Sequence, residues 1–279
     1  EWGSGLNNIR CHGIEESYFN QSFGFRKEEI LEQIIHPALD LERNLPGIDE
    51  AIMQVMEKYY NGYTIPLPQG EQVQVYNAFS VMWLMCDFVL SKKIHPQPPE
   101  SYWVKSGGSY VLDNLDRITI GEEVFKKFLV LMGRNEIEWK EGFGMFRVID
   151  SFISDDNFMS NDSVLYQLVN SGYLMRVKPR SSYYKIPTQE ILEYFGRKVL
   201  HYWAYKTGVD FYKLRNIYGE IGLSFGEKSK FEACLKTQVG DFSRLEAKNE
   251  DYFTCLVTSG IIMYNIYEPQ KVTHQILGS

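Results

Sequence analysis

The chain has 279 residues with 29 Lys+Arg against 36 Asp+Glu, a formal charge of −7, and 44% hydrophobic and 15% aromatic residues. At roughly 150 residues per domain this length suggests about two domains, and the apolar content excludes a chain disordered along most of its length. Gly 22 and Pro 10 are ordinary frequencies that exclude collagen-like and linker-dominated architectures, while the acidic balance argues against a surface broadly built for phosphate backbones.

The opening Glu1-Trp2-Gly3 has neither the charged nor the apolar stretch of a signal peptide. It lacks an initiator Met, and Gly278-Ser279 shows no helix-ending pattern, so the chain is expected to be a piece of something longer. From Arg26 to Leu45 the apolar positions Ile30, Leu31, Ile34, Ile35, Leu39 and Leu41 recur mostly at three and four residues, which predicts a helix. A second helix fits Ile48 to Tyr60, with Asn61-Gly62 as its stop because both residues tolerate left-handed dihedrals. Ile65-Pro66-Leu67-Pro68 must be extended. A third helix covers Ala78 to Ser91, capped by Asn77 and ending before His95-Pro96-Gln97-Pro98-Pro99. Its apolar run is interrupted by Ser80 and Asp87 and is too short to cross a bilayer, so no membrane partner is expected.

Tyr102-Trp103 with Ser106-Gly107-Gly108 predicts a short turn ahead of a helix through Tyr110, Leu112, Leu115 and Ile118. Phe125 to Met132 is apolar with strand-like content around Val130, and its type stays open. Ser163 to Ser171 reads as helix, and Gly172-Tyr173 breaks it. Leu174 to Val177 and Tyr183 to Ile186 alternate as strands around the turn Pro179-Arg180-Ser181-Ser182. Pro187-Thr188 opens a long amphipathic helix through Ile191, Leu192, Phe195 and Val199, and Tyr202 to Met263 reads as further helices. The fold class is mainly α with a small β-hairpin, and helix, hairpin, helix in this order resembles the second half of a winged-helix module.

Residues able to carry chemistry are sparse. Cys11, Cys86, Cys234 and Cys255 have no metal-ligand spacing and read as reduced, mostly buried thiols. The five histidines are dispersed and form no zinc pair. Gly107-Gly108 lacks the lysine of a phosphate-binding loop, and Gly3-Ser4-Gly5 lacks the spacing of a nucleophile elbow. Asp241 with Glu246-Ala247-Lys248 matches the letters of a PD-(D/E)XK nuclease, but the acids need adjacent strands to share one cation, and Phe242, Leu245 and Ala247 do not alternate as strands. That cluster reads as solvated charge. No catalytic, cofactor or metal residue is assigned. Two groups are candidate contact residues: Arg176, Lys178, Arg180 and Lys185 make the hairpin locally basic, and Tyr102-Trp103 belongs to a set of paired aromatics. Core and boundary packing is the plainer account of those aromatics. Strand alternation would set Arg176, Lys178 and Arg180 on one face.

Several segments together resemble the bacterial AAA-ATPase-like family whose members commonly carry a C-terminal PD-(D/E)XK nuclease domain. They are Ser4-Gly5-Leu6-Asn7-Asn8, Phe23-Gly24-Phe25 with Lys27-Glu28-Glu29-Ile30, Tyr60-Asn61-Gly62-Tyr63, Val75-Tyr76-Asn77-Ala78-Phe79-Ser80-Val81, Tyr102-Trp103 with Ser106-Gly107, Ser171-Gly172-Tyr173-Leu174, and Ile186-Pro187-Thr188-Gln189-Glu190. At Ala78 the family often has proline. The resemblance implies the middle of such a protein, with the nucleotide loop upstream and the nuclease acids downstream of a helix resembling Glu250-Asp251-Tyr252-Phe253. It implies a helical, ATPase-lid-like region over residues 1–135, a winged-helix-like connector over 136–200 and a helical tail over 201–279 that begins the nuclease region. No catalytic residue carries over.

The expected function is therefore a non-catalytic protein-interaction or regulatory module of a larger bacterial protein, such as a toxin or effector. The alternative is a fragment of an ATPase-nuclease that acts on nucleic acid. No cofactor is expected, a protein partner is, and nucleic acid should bind weakly at most. A host small GTPase is compatible as partner, although no residue selects it. The expected location is the cytoplasm, or the host cytosol for an effector.

Overall fold

Arg26 opens the first helical run by donating its backbone N–H to Glu29 Oε2 at 2.8 Å. In the computed structural model, which describes residues 24–40, 47–67, 71–91, 100–106, 110–115, 120–133, 135–140, 160–178, 181–207 and the single residues Tyr212, Ser229 and Ala233, this run has three parts. They are α1 (Lys27–Glu29), π-helical turns over Ile30–Ile35, and α2 (His36–Asp40). Pro37 has no N–H to donate, and at α spacing its ring would press on the Gln33 carbonyl. The turns before it open to π spacing, with the His36 N–H bonded to the Leu31 carbonyl. Ile30 and Ile35, five residues apart, both become fully buried.

The described residues divide into two compact units. The first is drawn from Glu1–Gly107, Met175–Ser181 and Pro187–Glu190, the second from Gly108–Leu174, Ser182–Ile186 and Ile191–Ser279. The fold is mainly helical with small antiparallel sheets.

In the first unit, α3 (Ile48–Tyr59) buries Ile52, Met53, Met56 and Tyr59 along one face. Its end corrects the expected Asn61-Gly62 stop. The Tyr60 N–H already bonds the Met56 carbonyl at 2.9 Å, and Asn61 begins β2 (Asn61–Pro66). β2 pairs antiparallel with β3 (Gln72–Asn77), which also pairs with β1 (Gly24–Phe25), giving the order β1-β3-β2. The sheet is an addition to the single hairpin expected. Its register, Tyr63 on Val75 and Ile65 on Val73, puts Tyr63 and Ile65 on the buried side. A bulge between Asn61 and Tyr63 leaves Gly62 at φ 142, where a Cβ would lie 1.8 Å from the Pro187 carbonyl oxygen, so the position demands glycine. α4 (Ala78–Ser91) starts as expected, with the Ser80 N–H on Asn77 Oδ1 at 3.1 Å. Its Val81, Met85 and Phe88 join Ile30, Ile52 and Met56 in the core of this unit. Tyr102–Ser106 is a helix, α5, rather than the expected turn, and Ser106 Oγ bonds back to the Trp103 carbonyl at 2.7 Å.

In the second unit, α6 (Tyr110–Asp113) precedes α7 (Glu122–Met132), so the segment left open by its sequence is helical. Val124, Phe125, Phe128, Leu131 and Met132 share the buried face, and Val130 is exposed. The pairs Glu122–Lys126 at 3.1 Å and Glu123–Lys127 at 3.3 Å line the solvent side. β4 (Ile137–Glu138) follows. In α8 (Asn161–Asn170), Ser160 accepts the Ser163 N–H at 3.2 Å, while Gly172 at φ 75 lets both the Tyr173 and Leu174 N–H groups reach the Leu168 carbonyl. Strands stand at β5 (Met175–Arg176), which belongs to the first unit, and at β6 (Tyr183–Lys185) in the second, where alternation predicts them. β6 pairs antiparallel with β4 through Ile137 and Tyr184. α9 (Gln189–Thr207) supplies Phe195, whose ring meets Phe128 edge-on at 5.0 Å.

Candidate contact surface

Tyr102 and Trp103 sit on α5, half-buried. The Tyr102 phenol donates to the Asp87 carboxylate on α4, and its ring lies nearly parallel to Trp83, centroids 6.4 Å apart at 17°. Burial, and then the bond to Asp87, raise the phenol well above the ordinary tyrosine range. Trp103 is fixed through its backbone, whose N–H donates to Glu190 Oε1 at 2.8 Å. The other oxygen of Glu190 accepts Ser80 Oγ–H at 2.7 Å. This carboxylate, 1% exposed, ties α4, α5 and the start of α9 together within the first unit.

The basic residues divide differently. Arg176 closes β5, is half-buried and donates from Nη1 to the Ser181 carbonyl at 2.7 Å, so its guanidinium braces the chain around the turn. The strand ends there, and Lys178 lies exposed in the following bend, beyond the reach of strand alternation. Arg176 and Lys178 belong to the first unit and the half-buried Lys185 to the second. Arg180 lies outside the described residues.

The paired aromatics are mostly core. Tyr59, Tyr60, Tyr63, Tyr184 and Tyr202 are buried, whereas Tyr183 is exposed. Among the described residues, most of the exposed large apolar side chains lie instead on α4. Its exposed positions are Phe79, Met82, Trp83, Cys86, Val89 and Leu90, and none is charged. Trp83 is 48% and Leu90 82% exposed, and the Phe79 and Trp83 rings adjoin at 6.1 Å. Cys86 is a free, exposed thiol within this stripe, and the other three cysteines, whose burial was expected for most of the set, lie outside the described residues. The sequence signal was present in a helix apolar on both faces, since one neighbouring layer can cover only one of them.

A polar cluster occupies the second unit. Asp113 Oδ1 receives Lys198 Nζ at 2.6 Å and the Tyr194 phenol, and Lys198 also lies 5.2 Å from the Tyr194 ring centroid. Burial and then Asp113 raise the Tyr194 phenol above its ordinary range. His201, one turn on, is lowered by burial and then by the Lys198 and Arg197 cations. This arrangement can lock α6 to α9. Among the described residues no three His, Cys, Asp or Glu converge as metal ligands, and no helix is long and apolar enough to cross a membrane. Gly107-Gly108 and the Asp241, Glu246 and Lys248 group lie outside the described residues. Comparison with protein-family models, curated proteins and solved structures finds no match.

Proposed function

We propose that this chain is a non-catalytic protein-interaction or regulatory module of a larger bacterial protein, of the toxin or effector kind, built like the middle of the AAA-ATPase-like proteins that are fused to PD-(D/E)XK nucleases. In this reading residues 1–135 correspond to the lid-like end of the ATPase-like domain, residues 136–200 to a winged-helix-like connector and residues 201–279 to the start of the nuclease region. One observation carries the proposal: the uncharged, exposed stripe of α4. Aromatic residues and Met are enriched at the cores of protein interfaces, and a contiguous apolar patch of several hundred Å² marks an interaction site. The partner is a protein, a host small GTPase being one compatible class, and the location is the bacterial cytoplasm or, for a secreted effector, the host cytosol.

Affinity capture with the wild-type chain and with Trp83→Lys, followed by reconstitution from purified components, tests this. The wild type should bind its captured protein at micromolar affinity, and the variant should lose it at unchanged circular dichroism. Saturable micromolar binding of magnesium-ATP in a calorimeter, or metal-dependent DNA cleavage abolished by Glu246→Ala, would instead favour the ATPase-nuclease. DNA binding through the basic hairpin should be weak and fall steeply between about 50 and 200 mM salt.

A further inference from the structure

We propose that Asn61 is a self-modification site: the Gly62 backbone nitrogen displaces its side-chain amide, and the acid that replaces the amide loosens β2 within the first unit. Asn61-Gly62 is the one Asn-Gly pair of the chain. The nucleophile, the amide and the surroundings of the product each support the assignment.

The fold itself puts glycine after Asn61. A Cβ at residue 62 would lie 1.8 Å from the Pro187 carbonyl oxygen, which belongs to the same unit. With no side chain beside it, a glycine nitrogen is also the one that a preceding side-chain carbonyl reaches with least obstruction. The register steps from Asn61 opposite Tyr76 to Tyr63 opposite Val75, so Gly62 is the surplus residue of the bulge and has no counterpart on β3.

The amide is weakly held. Asn61 Nδ2 lies 3.5 Å from Gln74 Oε1, at the outer limit of a hydrogen bond, and Asn61 Oδ1 is buried with no partner among the described residues. Asn170-Ser171 shows the contrary arrangement. There the amide donates to the Tyr166 carbonyl at 2.8 Å, and the Ser171 N–H, the corresponding nucleophile, is bonded to the Gln167 carbonyl at 3.0 Å.

In the reaction the Gly62 nitrogen, its proton passed to hydroxide, bonds to Asn61 Cγ. The Cγ–Nδ2 bond breaks, ammonia leaves, and a five-membered succinimide closes, an intramolecular attack favoured by proximity. Water then opens the ring at either carbonyl. Cleavage at Cγ gives aspartate; cleavage at the main-chain carbonyl gives isoaspartate, with the chain now running through Cβ and Cγ. The sum is amide plus water to acid plus ammonia, with no change of oxidation state.

Neither product is well housed. The new carboxylate keeps one oxygen in the buried place of Oδ1, where no donor meets it. Isoaspartate adds a backbone methylene next to Gly62, where Pro187 leaves no room for a single carbon. Conversion therefore weakens the β2 edge of the first sheet as the chain ages.

The test is to hold the 279-residue chain in warm, weakly alkaline buffer, folded or unfolded in urea, and follow the amide-to-acid mass gain by peptide mapping. Folding should slow Asn170 by at least about tenfold more than Asn61. Asn61→Gln, which would need a six-membered ring, should abolish the gain at this site. The thermal midpoint of the folded sample should fall as Asn61 converts, and Asn61→Asp, which installs the aspartate at once, should lower it by at least about 3 °C. Equal slowing at the two sites would show that the reaction runs only through the unfolded chain and would overturn the proposal. So would conversion of Asn61 that leaves the midpoint where it was.

Discussion

Replacing Glu190 with Gln changes one atom of a side chain that is 1% exposed and serves two donors at once, Ser80 Oγ–H at 2.7 Å and the Trp103 N–H at 2.8 Å. The amide oxygen can keep Trp103. Its N–H2 then faces Ser80, whose own proton loses the carboxylate. A hydrogen bond to a charged group contributes about 1.5–3 kcal/mol, and orphaning a buried donor costs about 1–3 kcal/mol, so a loss of about 2–3 kcal/mol is expected. Ser80→Ala removes the hydroxyl and its bond for about 1–2 kcal/mol. In the double variant the hydroxyl that Gln orphans is already gone, so the combined cost should fall short of the sum by about 1 kcal/mol or more. Urea unfolding at pH 7, followed by tryptophan fluorescence, measures all four corners of the cycle. Additivity within about 0.5 kcal/mol would show that Glu190 and Ser80 act independently and would refute this account of how α4 and α9 are joined in the first unit.

Gly62→Ala must move either a Cβ or the Pro187 carbonyl, and should lower the thermal midpoint far more than Gly47→Ala, whose φ is 78 but whose Cβ meets nothing within 4 Å and should cost about 1 kcal/mol. Tyr102 and Tyr194 are raised above the ordinary value of 10.0, and Tyr76 to about 12, mainly by burial. The unfolded chain therefore ionises first as pH climbs past 10.0, so stability held below that pH should drain away above it, with phenolate absorbance appearing together with unfolding and Tyr194→Phe shallowing the loss. His201 has the opposite sign. Its folded value lies below 6.5, so the unfolded state takes the proton more readily, and the stability present above 6.5 is lost as pH falls below it; His201→Gln should flatten that part of an acid titration followed by circular dichroism.

The helices were legible where spacing and a cap agreed. Asn77 before α4 and Pro187-Thr188 before α9 sit beside clear apolar periods, and both elements begin where those residues place them. The first sheet was not legible as a sheet. β1 is two residues long, β2 opens on Asn61-Gly62 and closes on Pro66, all of which read locally as turn, and only Gln72-Val73-Gln74-Val75 alternates. Pairing among distant segments creates those strands, and no local window contains it. Trp103 and Glu190 failed to stand out together for the same reason: they meet across 87 residues, and an acid in the first turn of a helix ordinarily faces water. On α4 both faces are apolar, so the period alone could not say which was covered. Arg176 shows the converse, a charge read as available for contact whose guanidinium is half-buried and bonded to the Ser181 carbonyl.

The π-helical turns before Pro37 bear on how this chain tolerates changes of length. An insertion or deletion inside a helix ordinarily swings everything beyond it by about 100° and tears the apolar face from its core. Here the segment Ile30–Ile35 already holds a surplus residue. Excising the exposed Glu32 or Gln33 would leave Ile30 and Ile35 four apart, the spacing of one α-helical face, with the buried pair still in place. Pro37 alone opposes the shorter form, because α spacing returns its ring to the carbonyl four residues back. Loss of one residue together with replacement of that proline would therefore yield an ordinary helix over the same core, two lengths of chain serving a single interior.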